Sequence, residues 1–165
     1  MADLKTVYYS HLDSPVGKLL IAATGAGLRC LHFDDGKLPG KRRDEVWIHS
    51  PERLRLYEEQ LQAYFRGELQ NFTFSLDLIG TEFQKKCWKA LLQIPYGQTC
   101  SYAEIARKVG SPRAFRAVGQ ANHNNPIAIV VPCHRVVTSS GDLGGYGGGL
   151  STKEKLLKLE GARLF

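Results

Sequence analysis

The strongest chemical signal in this chain is the tetrapeptide Pro132-Cys133-His134-Arg135. A thiolate is a far better nucleophile than a thiol, and a neighbouring imidazole is one of the groups that generates it. A Cys-His pair taken alone also fits a buried packing thiol, since free cysteine is among the most buried residue types. Its surroundings favour chemistry. An apolar run, Ile127 to Pro132, leads into Cys133 and reads as a buried strand, which would hold the sulfur on a rigid element. Beyond it, residues 139–149 form a loop with six glycines in eleven positions, where backbone can approach a planar ligand closely. The other cysteines, at 30, 87 and 100, form no C-x-x-C pair with it or with one another. That spacing suits neither a disulfide framework nor a paired-knuckle zinc site, so free thiols in a reducing compartment and no metal are expected.

The elements that must position Cys133 follow from apolar spacing and turn residues. Residues 7–12, 17–24 and 27–33 are short strand candidates separated by DSPVG and TGAG. The charged stretch 34–45 reads as an exposed loop. Ser50 and Pro51 offer an N-cap and a first helical position, and Leu54, Tyr57, Leu61, Tyr64 and Phe65 then share a face up to Gly67. Residues 71–78 alternate Phe72, Phe74, Leu76 and Leu78 with polar residues, the pattern of a half-buried strand.

Near Ile79-Gly80 the character turns helical and basic, which places a domain boundary there, with domains 1–79 and 80–165. Thr81-x-x-Gln84 is a capping box for a helix whose Phe83, Cys87, Ala90, Leu91 and Ile94 share a face, so Cys87 reads as a packing thiol. Ser101-x-x-Glu104 opens a short helix ending at Gly110, and Ser111-Pro112 precedes a third helix over 113–122. Two short helices across a Gly-Ser-Pro turn read as a helix-turn-helix. Ser151-x-x-Glu154 caps a last helix carrying Leu156, Leu157 and Leu159.

The net charge of +6 is unevenly spread. Residues 1–80 carry 10 Lys/Arg against 11 Asp/Glu, and residues 81–165 carry 12 against 5. A basic second half suits a polyanionic partner, and equally a well-solvated surface. No apolar run approaches the ~20 residues that span a bilayer, and the first residues lack the pattern of a secretory signal. A soluble, cytoplasmic protein is expected.

The stretches PYGQTCSYAEIA (95–106), RAFRAVGQAN (113–122), NPIAIVVPCHRVV (125–137), SSGDLGGYGGGL (139–150) and KEKLLKLEGA (153–162) resemble the O6-alkylguanine-DNA alkyltransferases, also called methylated-DNA–protein-cysteine methyltransferases. DSPVGKL (13–19) and AYFRGEL (63–69) resemble the family's N-terminal domain more weakly. The resemblance implies an α+β protein: an N-terminal RNase H-like antiparallel sheet plus helix, and a mostly helical C-terminal domain with the helix-turn-helix. It implies direct reversal of O6-alkylguanine, and less efficiently O4-alkylthymine, in double-stranded DNA, by irreversible transfer of the alkyl group to Cys133. Each molecule would act once, because water does not hydrolyse the resulting thioether.

By the same resemblance, His134 matches the base serving Cys133 and Glu160 the carboxylate orienting His134. Adjacent side chains on extended backbone point to opposite faces, so a water between Cys133 and His134 is expected. Tyr102 matches the tyrosine that donates to guanine N3 and lies near the rotated phosphate. Arg116 matches the arginine that fills the stack after base flipping from the minor groove. Ala114, Ala117 and Gly119 match the small residues of the DNA-facing helix, and Asn125 the residue tying that helix to the reactive segment. Tyr146, Gly147 and Gly148 match the loop closing on the base, and backbone carbonyls around Cys133 and Val136 the acceptors for its exocyclic amine. No cofactor is expected. The implied partner is alkylated duplex DNA, bound by a monomer, with cooperative assembly along DNA left open and nucleoid association implied for a prokaryote. Phe115 departs from the small residue common at its position, and Cys30 with His32 lacks the second pair that a structural zinc would need.

Rival readings each predict something different. A lesion sensor on the same scaffold lacks the cysteine. A Cys-His hydrolase turns over many times. A plain helix-turn-helix regulator has no use for the PCHR segment or the glycine loop.

Overall fold

A computed structural model describes residues 5–162. They divide along the chain into two compact units, the first ending at Leu78 and the second beginning at Ile79.

The first unit is a four-stranded sheet with one helix. Strands β1 (Lys5–Leu12), β2 (Leu19–Thr24), β3 (Gly27–Phe33) and β4 (Glu45–His49) lie in the order β3-β2-β1-β4. β2 is buried without a break from Leu19 to Ala23, which is why it reads as a continuous apolar run rather than an alternation. β1–β2 and β2–β3 pair antiparallel, as expected from the two tight turns. β4 was not anticipated, and it pairs parallel to β1, so the sheet is mixed rather than purely antiparallel. The charged segment before β4 is anchored at Gly40, whose carbonyl accepts from Arg29 of β3, and Arg29 also contacts Glu45 at 2.7 Å, both buried.

The expected helix begins as a 3₁₀ turn, Pro51–Leu54, and continues as α1 (Arg55–Phe65). Ser50 does not cap it through its side chain; its hydroxyl donates to the Glu52 carboxylate instead. Residues 71–78 do not form the expected strand. Among the described residues their one ladder contact is a bridge at Leu76 to Leu28, with Leu28 donating to the Ser75 carbonyl and Asp77 to the Leu28 carbonyl. The alternating phenylalanines are spent on α1: Phe74 stacks edge-on against Tyr57 at 4.9 Å, and Phe72 lies 5.5 Å from Tyr64. Gly27 permits this approach, since a Cβ there would sit 2.4 Å from the Ser75 oxygen.

The second unit comprises α2 (Glu82–Leu92), a two-residue strand β5 (Cys100–Ser101), α3 (Tyr102–Lys108), α4 (Phe115–His123), β6 (Val136–Val137) and α5 (Leu150–Leu159). The capping box of α2 forms as read, with Thr81 and Gln84 bonded in both directions. Trp88, absent from the expected face, is fully buried and donates to the Ala121 carbonyl of α4. Ser101 accepts from the Glu104 amide at the start of α3. α4 begins at Phe115 rather than Arg113, because 111–114 close a turn in which Ala114 donates to the Ser111 carbonyl; no side chain caps it. The connection between α3 and α4 is therefore six residues, 109–114, rather than three. α5 starts at Leu150, so Ser151 lies inside the helix and the expected capping box does not form.

Candidate active site

Residues 127–132 correct the largest sequence-based expectation. The β-branched run is no strand: it coils tightly, with Val130 donating to the Ala128 carbonyl, Val131 to Ile127 and Cys133 to Val131. Ile129 sits at φ 73°, a left-handed conformation that a β-branched residue adopts only where the surroundings enforce it. Asn125 is what enforces it. Its side-chain oxygen accepts from the Ile127 amide, and its Nδ2 donates to the Val131 carbonyl at 2.8 Å and to the Cys133 sulfur at 3.3 Å. Asn125 is buried, with both ends of its amide committed inside the chain. It ties the end of α4 to the reactive segment rather than presenting a surface for DNA.

Cys133, His134 and Arg135 form a 3₁₀ turn, not extended backbone. The turn sends His134 into the interior, where it is wholly buried and its Nε2 lies 2.8 Å from Glu160 Oε2. A carboxylate only accepts, so the neutral ring carries its proton on Nε2 and leaves Nδ1 as a bare acceptor. No protein group among the described residues bonds that Nδ1. Burial holds the imidazole pKa down, while Glu160 pulls it up. Arg135 grips the same carboxylate with Nε at 2.7 Å and Nη2 at 3.0 Å, and its Nη1 donates to the Ile94 carbonyl. A buried carboxylate at the end of α5 thus holds both residues that follow Cys133.

Burial also pushes the Cys133 thiol pKa up, opposed by the Asn125 hydrogen bond and by the charge of Lys153. Burial thus favours the thiol, while Asn125 and Lys153 favour the thiolate. Lys153 is the main residue that sequence reading missed. It is fully buried and donates to the Val136 carbonyl at 2.5 Å and the Gly145 carbonyl at 3.2 Å. Desolvation pulls its pKa down to about 8. The signal was present: Lys153, Leu156, Leu157 and Glu160 fall at i, i+3, i+4 and i+7, one stripe facing inward. Of the remaining cysteines, Cys30 is pushed up to about 12 and Cys100 to about 11, chiefly by burial.

Cys133 lies at a cavity of about 580 Å³. Of the residues expected there, Tyr102, Gly119, Tyr146 and Gly147 line it, joined by Gln120, Asn122, His123 and Gly145, which were not foreseen. Val136 and Gly148 do not line it; Val136 is fully buried and its carbonyl already accepts from Lys153. Burial first, then the nearby Cys133, raises the Tyr102 phenol pKa and keeps it a donor. The Gly145 amide bonds its oxygen. Gly144, at φ 72°, passes close enough that a Cβ would lie 3.1 Å from that oxygen. Arg116 and Ala117 are exposed on α4, outside the lining, and Ala114 precedes the helix half-buried. Among the described residues, no group of three or more His, Cys, Asp or Glu could hold a metal ion, and no helix is long and apolar enough to cross a membrane.

A cysteine at a cavity beneath a glycine loop, beside two short helices joined by a turn, is an arrangement that could bring cysteine chemistry to a nucleic acid. Residues 82–162 match the DNA binding domain, and residues 7–78 the ribonuclease-like domain, of 6-O-methylguanine DNA methyltransferase. A methylated-DNA–protein-cysteine methyltransferase from Methanosarcina acetivorans is 50% identical over 159 residues, covering 94% of this chain and 99% of the relative. One from Mycobacterium tuberculosis is 50% identical over 157 residues, covering 95% and 94%. The crystal structure of Mycobacterium tuberculosis OGT in complex with DNA superposes with a TM-score of 0.86 at 49% identity, over 95% of this chain and 94% of that one. The chain belongs to the 6-O-methylguanine DNA methyltransferase family.

Proposed function

We propose that this chain repairs O6-alkylguanine in duplex DNA by moving the alkyl group onto Cys133 and is consumed in doing so. The observation that carries the reading is the sulfur itself, set at a cavity between Tyr102 and the 144–147 loop and backed by the His134–Glu160–Arg135 cluster.

The base enters from the minor groove side, extruded at a cost of a few kcal/mol that DNA contacts offset. Arg116 occupies its place in the stack, while Ala114, Ala117 and Gly119 let the α4 backbone lie close to the duplex. The thiol proton passes to the bare Nδ1 of His134, through a water, and Glu160 holds the ring and stabilises the cation formed. The thiolate attacks the alkyl carbon in line. The C–S bond forms, the O6–C bond breaks, and its electron pair stays with guanine, whose developing negative charge the Tyr102 hydroxyl meets at N3. Amides of Tyr146 and Gly147, which line the cavity, face O6, and the carbonyl of Cys133 accepts from the exocyclic amine. No cofactor enters any step. O4-alkylthymine presents the same O–alkyl geometry in a smaller ring and reacts more slowly. The working unit is a monomer on DNA.

Intact-protein mass spectrometry after incubation with an O6-methylguanine duplex tests this. One methyl should appear on Cys133, none on Cys133→Ser, and repaired guanine should never exceed protein in amount. Repair of many lesions per molecule, or repair that leaves the sulfur unmodified, would refute it.

A further inference from the structure

Phe115 is the first residue of α4, and 52% of it is exposed. It shares a stripe with Gly119 and Asn122, at i, i+4 and i+7, and both of those line the Cys133 cavity. The ring therefore stands about one helical turn before the cavity, on the cavity's flank of the helix. Arg116, beside it, is also exposed. The surrounding sequence carries positive charge only: from Ile105 to Gly141 there is no Asp or Glu, while Arg107, Lys108, Arg113 and Arg116 all fall within α3, the turn and α4. An exposed ring amid arginines, one turn from a cavity large enough for a purine, matches the apolar wedges with which minor-groove proteins part base steps.

We propose that Phe115 is a second wedge. As Arg116 fills the space left by the extruded base, the Phe115 ring stacks on the base pair flanking that space and holds the step open. This rests on the base-extrusion reading above and adds to it a residue that acts on the duplex, not on the alkyl group. Stacking of one aromatic ring on a base favours the opened duplex roughly five- to a hundredfold.

The test compares methyl transfer from an O6-methylguanine duplex with benzyl transfer from O6-benzylguanine, a free base that requires no extrusion. In Phe115→Ala the ratio of duplex to free-base rate constants should fall about tenfold. A 2-aminopurine next to the lesion should lose the fluorescence change that marks its unstacking. Phe115→Trp should restore both. An unchanged ratio in Phe115→Ala, or an equal slowing on both substrates, overturns the wedge and leaves the transfer reading standing. A wild-type chain that accepts no alkyl group from either substrate removes the transfer reading itself, and the wedge with it.

Discussion

Replacing Glu160 by alanine isolates the cluster behind the sulfur. The carboxylate is 4% exposed and accepts from His134 and, through both oxygens, from Arg135. Its loss leaves the Arg135 guanidinium, 7% exposed, without a counter-charge, held by the Ile94 carbonyl and the face of Tyr96 5.7 Å away. Removing one member of a buried ion pair costs about 3–5 kcal/mol, most of it the penalty of the abandoned charge. For a chain of this length that lowers Tm by about 6–20 °C. Glu160→Gln keeps the shape but leaves the Arg135 charge equally unpaired and sets an amide donor against the His134 and Arg135 donors, so it should be destabilised by a similar amount. If the stranded charge dominates, adding Arg135→Met to Glu160→Ala should recover stability rather than lower it further, a non-additivity visible in urea unfolding. A Glu160→Ala protein within 1 kcal/mol of wild type, or a double variant whose losses simply add, would refute the reasoning.

Four further outcomes are expected. His134 is neutral in the folded chain because burial lowers its pKa. The unfolded chain binds a proton below about pH 6.5 that the native one refuses, so stability should fall from pH 7 to pH 5, by at most about 1.4 kcal/mol per pH unit for this histidine. Urea titrations of His134→Gln should show a shallower fall, and identical slopes would count against it. In Lys153→Met the charge that lowers the Cys133 pKa is gone, so the iodoacetamide rate profile should move to higher pH; an unmoved profile would mean that the lysine only supports carbonyls. Gly144→Ala must hold a left-handed residue against the Tyr102 hydroxyl, and should lose about 1 kcal/mol and slow transfer, measured by melting and single-turnover kinetics. Arg116→Ala should weaken duplex binding and reduce the slope of log K against log salt by about 0.9, read by fluorescence anisotropy at several salt concentrations.

What could be read in advance was whatever local sequence determines. The turns between β1, β2 and β3, the Thr81 capping box and the apolar stripes of α1, α2 and α5 all depend on residues within one or two turns of each other. The failures were long-range. β4 is a short alternating segment whose partner, β1, lies over thirty residues upstream, and nothing near Glu45 announces a parallel pairing. Residues 71–78 have a strand's periodicity, but their rings found α1 before their backbone found a neighbour. Residues 127–132 have a strand's composition and are overruled by one asparagine that claims the Ile127 amide and the Val131 carbonyl. That Cys133 and His134 belong to one site could be expected from type and resemblance, and the structure places the first at the cavity and the second in the interior. The reach from His134 and Arg135 to a single carboxylate, and the lysine beneath the glycine loop, needed three dimensions.

The groups that shelter Cys133 come from both directions along the chain, and the last of them sits at the far end of α5. On a ribosome the nucleophile is synthesised some twenty-seven residues ahead of the carboxylate that anchors its neighbours, a separation fixed by positions 133 and 160. In any state in which α5 is undocked, the sulfur loses the Glu160 cluster and the Lys153 charge together, so one helix some 20 to 27 residues downstream governs both.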